Sequence, residues 1–154
     1  CVDLKGIMIP ENVYQIDHYA FRGCTSLETV LIKGQLTSLG GMIFYDCTSL
    51  KIVEFAEGIT LLTNRMFGNC VSLETITLPA SIEQIDSKVF QGCTNLKTVY
   101  VKATTPPEMS FLVFTDNKSQ NLNCKIYVPD ESVEEYKKAS NWSTYADQIE
   151  GYKF

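Results

Sequence analysis

Phe21-Arg-Gly-Cys-Thr-Ser-Leu27 decides the fold, because the chain repeats it. Phe44-Tyr-Asp-Cys-Thr-Ser-Leu50, Phe67-Gly-Asn-Cys-Val-Ser-Leu73 and Phe90-Gln-Gly-Cys-Thr-Asn-Leu96 follow, each 23 residues after the last. A fixed period of this size marks a solenoid, in which each repeat is one turn and buries its apolar face against its neighbours.

Working outward from the motif, the apolar positions fall into columns. One is Cys1, Cys24, Cys47, Cys70 and Cys93, and another is Leu4, Leu27, Leu50, Leu73 and Leu96. Ile7, Val30, Val53, Ile76 and Val99 come next, then Ile9, Ile32, Phe55, Leu78 and Val101. Leu27-x-x-Val30-x-Ile32 ends in period-2 alternation, the mark of a half-buried strand. Val13-x-x-Ile16 and its copies predict the opposite wall. Between Ile16 and Phe21, Asp-His-Tyr-Ala leaves room for one helical or 3₁₀ turn at most. Gly23, Asp46, Asn69 and Gly92 share a column of residue types that tolerate positive φ, so a sharp bend is expected there.

The 154 residues carry a net charge of −5 and 45% hydrophobic content. That balance fits one folded domain and opposes nucleic-acid binding, which needs a basic face. No apolar run reaches the ~20 residues of a membrane span, and no signal peptide opens the chain. Cys1 fits the repeat column, so the chain begins inside a repeat. Val2, Leu4, Ile7, Ile9, Val13 and Ile16 then form an outermost turn without a cap, and further repeats are expected before Cys1. Lipid modification of Cys1 is the disfavoured alternative, because the column already accounts for it.

After Val101 the period is expected to fail. Thr104 to Asn123 reads as a polar excursion around Phe111, Leu112, Val113 and Phe114. Cys124-Lys-Ile-Tyr-Val128 reads as a last strand, stopped by Pro129. Asp130 or Ser132 is placed to cap a helix, and Ser132-x-x-Glu135 matches a capping box. Val133 and Tyr136 share a face of that helix. Trp142, Tyr145 and Ile149 predict a second short helix, and together these aromatics form a cap over the last turn.

The columns resemble the BspA-like leucine-rich repeat family of bacterial surface proteins. The resemblance rests on Phe-x-x-Cys-x-x-Leu-x-x-Val-x-Leu-Pro, clearest from Phe67 to Pro79, and on Ser81-Ile82-x-x-Ile85. It extends through Lys102 to Pro107, Ile126-Tyr-Val-Pro129 and on to Trp142. Gly34 and Ala56 replace the strand-terminal proline and Thr63 replaces a usual glycine or aspartate, which bears on turn geometry there. The implied fold is a β-rich α/β repeat solenoid, a right-handed leucine-rich repeat superhelix with a parallel β-sheet. Residues 1–103 are its turns, the first truncated, and 104–154 are a loop, strand and helical cap of the same domain. The implied role is a secreted or cell-surface binding or adhesion module, with a structural spacer as the alternative.

The residues show no catalytic motif. The cysteine column reads as buried thiols, since ligands 23 apart give no tetrahedral metal set. Cys124 reads as free. His18, the single histidine, shares its column with Gly41, Asn64 and Ser87, a surface-turn set. No enzyme activity, metal or cofactor is expected, and the partner is an unspecified protein or glycan. Lys5, Glu28, Lys51, Glu74 and Lys97 alternate in sign, which reads as register control between turns. Outward strand positions supply the candidate contact surface: Met8, Leu31, Glu54, Thr77 and Tyr100 in one column, with Ile52 from the next. Scattered surface hydrophobes on a sheet are the alternative account. Asn117-Lys-Ser119 and Asn141-Trp-Ser143 match N-glycosylation acceptors, a pattern that arises often by chance.

Overall fold

The computed structural model describes Cys1 and residues 3–154; Val2, placed above in the first turn, lies outside the described residues. The chain runs β1 (Gly6–Ile9), β2 (Gln15–Ile16), β3 (Thr29–Ile32), β4 (Ser38–Leu39), β5 (Ile52–Phe55), β6 (Leu61–Leu62), β7 (Thr75–Leu78), β8 (Gln84–Ile85), β9 (Thr98–Val101), β10 (Glu108–Met109), β11 (Lys125–Pro129), α1 (Val133–Lys138) and β12 (Ile149–Tyr152). All pairings between these strands are parallel. The result is a β-rich leucine-rich repeat coil with three sides.

The longer strands form the first side, in sheets β1-β3-β5 and β7-β9-β11-β12. The two-residue strands form the second, as β2-β4 and β6-β8-β10. Register follows the repeat: Ile7, Val30 and Val53 are partners in turn, as are Ile76, Val99 and Ile126. Period-2 alternation sends these residues inward, and Val30, Ile76 and Val99 are almost wholly buried.

The third side is the Phe-x-x-Cys bend. Here the backbone bonds forward: Phe21, Phe44, Phe67 and Phe90 donate their N–H groups to the carbonyls of Ile43, Met66, Val89 and Val113 at 2.9–3.1 Å. The rings stack in one file with centroids 5.4–5.7 Å apart and planes within 8° of parallel. Beside them the thiols of Cys47, Cys70 and Cys93 donate to the carbonyls of Phe21, Phe44 and Phe67 at 3.1–3.3 Å. The four inner cysteines of the column are buried, as expected, but Cys1 at its end is exposed, because no preceding turn covers it among the described residues; Cys124 is buried as well.

The bend column holds positive φ at Gly23 (69°), Asp46 (62°), Asn69 (59°) and Gly92 (79°). A second left-handed column went unforeseen: Tyr19, Met42, Arg65, Lys88 and Leu112, with φ of 51–63°. None is glycine, so the neighbouring turns, and not residue type, impose that conformation.

Four expectations for the C-terminal part are corrected. The period does not fail after Val101. Met109 pairs with Ile85 and Phe114 stacks on Phe90, each 24 residues on, so this stretch is a further turn with one extra residue. Within it Phe111 points outward and Val113 and Phe114 are buried. The capping box does not form. The Ser132 hydroxyl donates instead to the Thr104 carbonyl at 2.6 Å, tying α1 to the preceding loop. Trp142 and Tyr145 lie on a 3₁₀ segment, Trp142–Gln148, but Ile149 opens a strand that pairs with β11, which is therefore not the last. Tyr136 and Trp142 are fully buried. Tyr136 donates to the Ala103 carbonyl and the Trp142 indole to that of Pro107, at 2.7 and 2.8 Å.

Candidate binding surface

The outer face of the first side carries the candidate residues. Met8, Leu31 and Glu54 are register partners across β1, β3 and β5. Thr77 and Tyr100 are partners across β7 and β9. Met8 is 60% exposed and Ile52 49%. Glu54 is exposed, while Leu31, Thr77 and Tyr100 are half-buried. The structure thus brings Tyr100 beside Thr77 and Leu31 beside Met8, but in two separate sheets.

Sequence reasoning missed the aromatic end of this face. Tyr127 is the next register partner of Tyr100, and their rings stack at 5.2 Å. Tyr152 meets Tyr100 edge-on at 5.1 Å, and Phe154 packs against Tyr152 at 5.0 Å. Tyr152 is 42% exposed and Phe154 52%. Such rings offer large apolar faces with a hydroxyl at the rim. The outward place of Tyr127 in Ile-Tyr-Val was readable from alternation; the return of the chain as β12 was not. Beside the cluster lies an open groove of about 700 Å³, lined by Lys102, Pro129, Asp130, Tyr152, Lys153 and Phe154.

The charged column resolves into separate pairs. Lys51 meets Glu28 at 3.1 Å and Lys97 meets Glu74 at 2.8 Å, all four exposed. No ion pair joins Lys51 to Glu74 or Lys5 to Glu28 among the described residues. Exposed pairs of this kind contribute about 0.2–1 kcal/mol each. Lys125 and Glu150 form a further pair, whose hydrogen bond raises the lysine pKa. Arg22 lies over the Tyr19 and Tyr45 rings at 5.7 and 5.4 Å on the third side.

The thiols inside the coil are masked. Burial pushes the Cys47 and Cys93 thiols up to about 12, and Cys124 to about 11. His18 uses Nδ1 to accept the Gly41 N–H at 2.9 Å. No group of three or more metal-ligating side chains occurs among the described residues. Asn141, in one glycosylation tripeptide, donates its side-chain amide to the Met109 carbonyl. No helix among the described residues is long and apolar enough to cross a membrane.

A parallel coil with this file of bends defines a leucine-rich repeat protein. The chain belongs to the BspA type leucine rich repeat region family, whose model matches residues 1–121 in 6 copies. It is similar to a leucine rich cell surface protein of Faecalibacterium prausnitzii A2-165, at 27% identity and TM-score 0.62, over 97% of this chain and 32% of that one. It also resembles the leucine rich repeat protein TpLRR of T. pallidum, at 25% identity and TM-score 0.71, over 85% of this chain and 60% of that one. A Bacteroides ovatus leucine-rich repeat protein shares the fold at 23% identity and TM-score 0.61, over 98% of this chain and 43% of that one. The chain thus spans one third to three fifths of the length of these relatives. No curated protein matches it.

Proposed function

We propose that this chain is a non-catalytic binding or adhesion module of a bacterial surface protein, contacting a protein or glycan through the outer face of its first side. The observation that carries this reading is the ring cluster in which exposed Tyr152 and Phe154 pack on half-buried Tyr100 and Tyr127, continuous with the column of Thr77. A purely structural role does not call for several large rings in water, where burial of each would be favourable. Met8, Leu31, Ile52 and Glu54 extend the same face toward the first turn. The similar Faecalibacterium protein is a cell surface protein, which supports placement outside the cell.

Glycan-array and host-protein binding by this chain test the reading. A ligand bound by the wild type should lose about tenfold or more in affinity, roughly 1.4 kcal/mol, in a Tyr100→Ala/Tyr152→Ala variant. Replacing Met8 and Leu31 with alanine should weaken the same ligand less. Absence of any ligand, with the variants unchanged in stability, would favour a spacer that presents another domain.

A further inference from the structure

Among the described residues the hydrogen-bond ladder of the coil is interrupted once on each strand-bearing side, between the same two blocks of chain. On the first side Thr29, Ile52 and Thr98 donate backward to the carbonyls of Lys5, Glu28 and Glu74 at 3.1–3.2 Å. Lys33, Ala56 and Lys102 close the strand ends on Ile9, Ile32 and Leu78 at 2.8–3.1 Å. Between β5 and β7 neither bond has a counterpart: Thr75 makes no such bond to Lys51, and these strands belong to different sheets. Residue 79, which should close the end on Phe55, is proline and has no N–H to give.

On the second side the gap lies one turn earlier in number, between β4 and β6. There the Thr63 hydroxyl donates to the Gly40 carbonyl at 2.7 Å, where Gly40 and Asp86 use backbone N–H groups toward Ile16 and Leu62. The two gaps are one seam. Ala56 still bonds back to Ile32, whereas the Glu57 carboxylate accepts the Ser81 N–H at 3.2 Å and Gly58 donates to the Ser81 hydroxyl at 2.9 Å. The chain therefore crosses from block to block at Ala56–Gly58, and Gly58 holds φ of +103°. Clefts of about 240 and 370 Å³ lie along the two gaps. Among the described residues the two blocks are joined by backbone bonds on the third side alone: Met42, Phe44 and Asp46 donate to Asn64, Met66 and Gly68 at 2.9 Å, and the Phe44 and Phe67 rings stack.

We propose that this seam is an articulation: residues 3–56 and 57–154 rock about the phenylalanine file, opening and closing the two strand-bearing sides together. The outer-face residues divide across it, with Met8, Leu31, Ile52 and Glu54 on one block and Thr77 and Tyr100 on the other. Rocking thus sets the spacing between the two halves of the contact face, a consequence that rests on the binding reading above. Alternate residues of a parallel strand bond to opposite neighbours. Since Ile52 faces β3, Val53 and Phe55 face the seam, and so do Thr75 and Thr77 from β7.

Native-state amide hydrogen exchange tests the articulation without any ligand. The amides of Val53, Phe55, Thr75 and Thr77 should exchange about tenfold or more faster than those of Val30, Ile32, Thr98 and Tyr100. A short bismaleimide bridge between cysteines at Thr37→Cys and Thr60→Cys, in a Cys1→Ser background, spans the second-side gap away from the contact face. It should slow exchange at Thr75 and Thr77 on the other side about tenfold. Uniform protection across the four turns, or a bridge that leaves Thr75 and Thr77 unchanged, overturns the articulation whether or not a ligand exists. Where a ligand is known, equal affinity of bridged and unbridged protein overturns the coupling to the contact face and leaves the binding reading intact.

Discussion

Phe21 and Phe44 begin the same pattern, Phe-x-x-Cys-Thr-Ser-Leu, yet Phe44 is fully buried and Phe21 is not. The same contrast separates the two ends of the coil. In the first turn Leu4, Ile7 and Val13 are half-exposed, while Leu96, Val99 and Ile82 further on are buried. At the other end Phe114 is covered by Trp142 and by Tyr145, which meets it edge-on at 5.4 Å. Burial in a stacked coil is therefore conferred by the next turn and not encoded in the repeat itself. The C-terminal cap supplies that cover without repeating the motif.

The cap and the inner phenylalanine file should matter most. Trp142→Ala removes a buried indole and leaves the Pro107 carbonyl without its donor, and a loss of about 3–5 kcal/mol is expected in urea unfolding. Phe67→Ala, inside the file, should cost a similar ~3–5 kcal/mol, and Phe21→Ala roughly half of that. Equal losses at Phe21 and Phe67 would break the comparison between inner and outer turns. The cysteine file sharpens it. Only Cys1 is exposed among the cysteines, so a thiol reagent should label that residue in the folded protein and the others only after unfolding. Burial pushes the Cys47 and Cys93 thiols up to about 12, against about 8.5 in an unfolded chain. Their contribution to stability is complete below about pH 8.5 and is lost as pH rises toward 12, because the unfolded chain releases those protons first. Melting temperature should fall steadily over that alkaline range. The smallest effect is expected at the exposed Glu28–Lys51 pair: Glu28→Lys should cost under about 1 kcal/mol, more at low salt than at high.

Most of the fold was legible because a period of 23 needs no knowledge of tertiary contacts. Once the repeat slips, that signal is lost. Phe114 follows Phe90 by 24 residues, and the loop from Asp116 to Asn121 then separates it from β11, so the added turn looked like an excursion. Ser132 and Glu135 had capping-box spacing, but the Thr104 carbonyl competed for the hydroxyl, a partner that folding alone brings close. Ile149-Glu-Gly-Tyr152 is short and contains glycine, so its pairing with β11 outweighed any local preference. The outward residues Met8 to Tyr100 followed from alternation. Tyr152 and Phe154 joined them through the return of the chain. The seam was the least legible feature, since it consists of bonds not made, and Pro79 belongs to the repeat pattern itself.

Tyr19, Met42, Arg65, Lys88 and Leu112 hold a left-handed backbone with side chains that do not prefer it. A synthetic peptide carrying one of these units alone would have no reason to keep that corner. The shape exists only collectively, and copies become self-supporting when enough of them are linked to hold each other bent. Shortening the array from its first turn should therefore end in abrupt loss of structure rather than a gradual one.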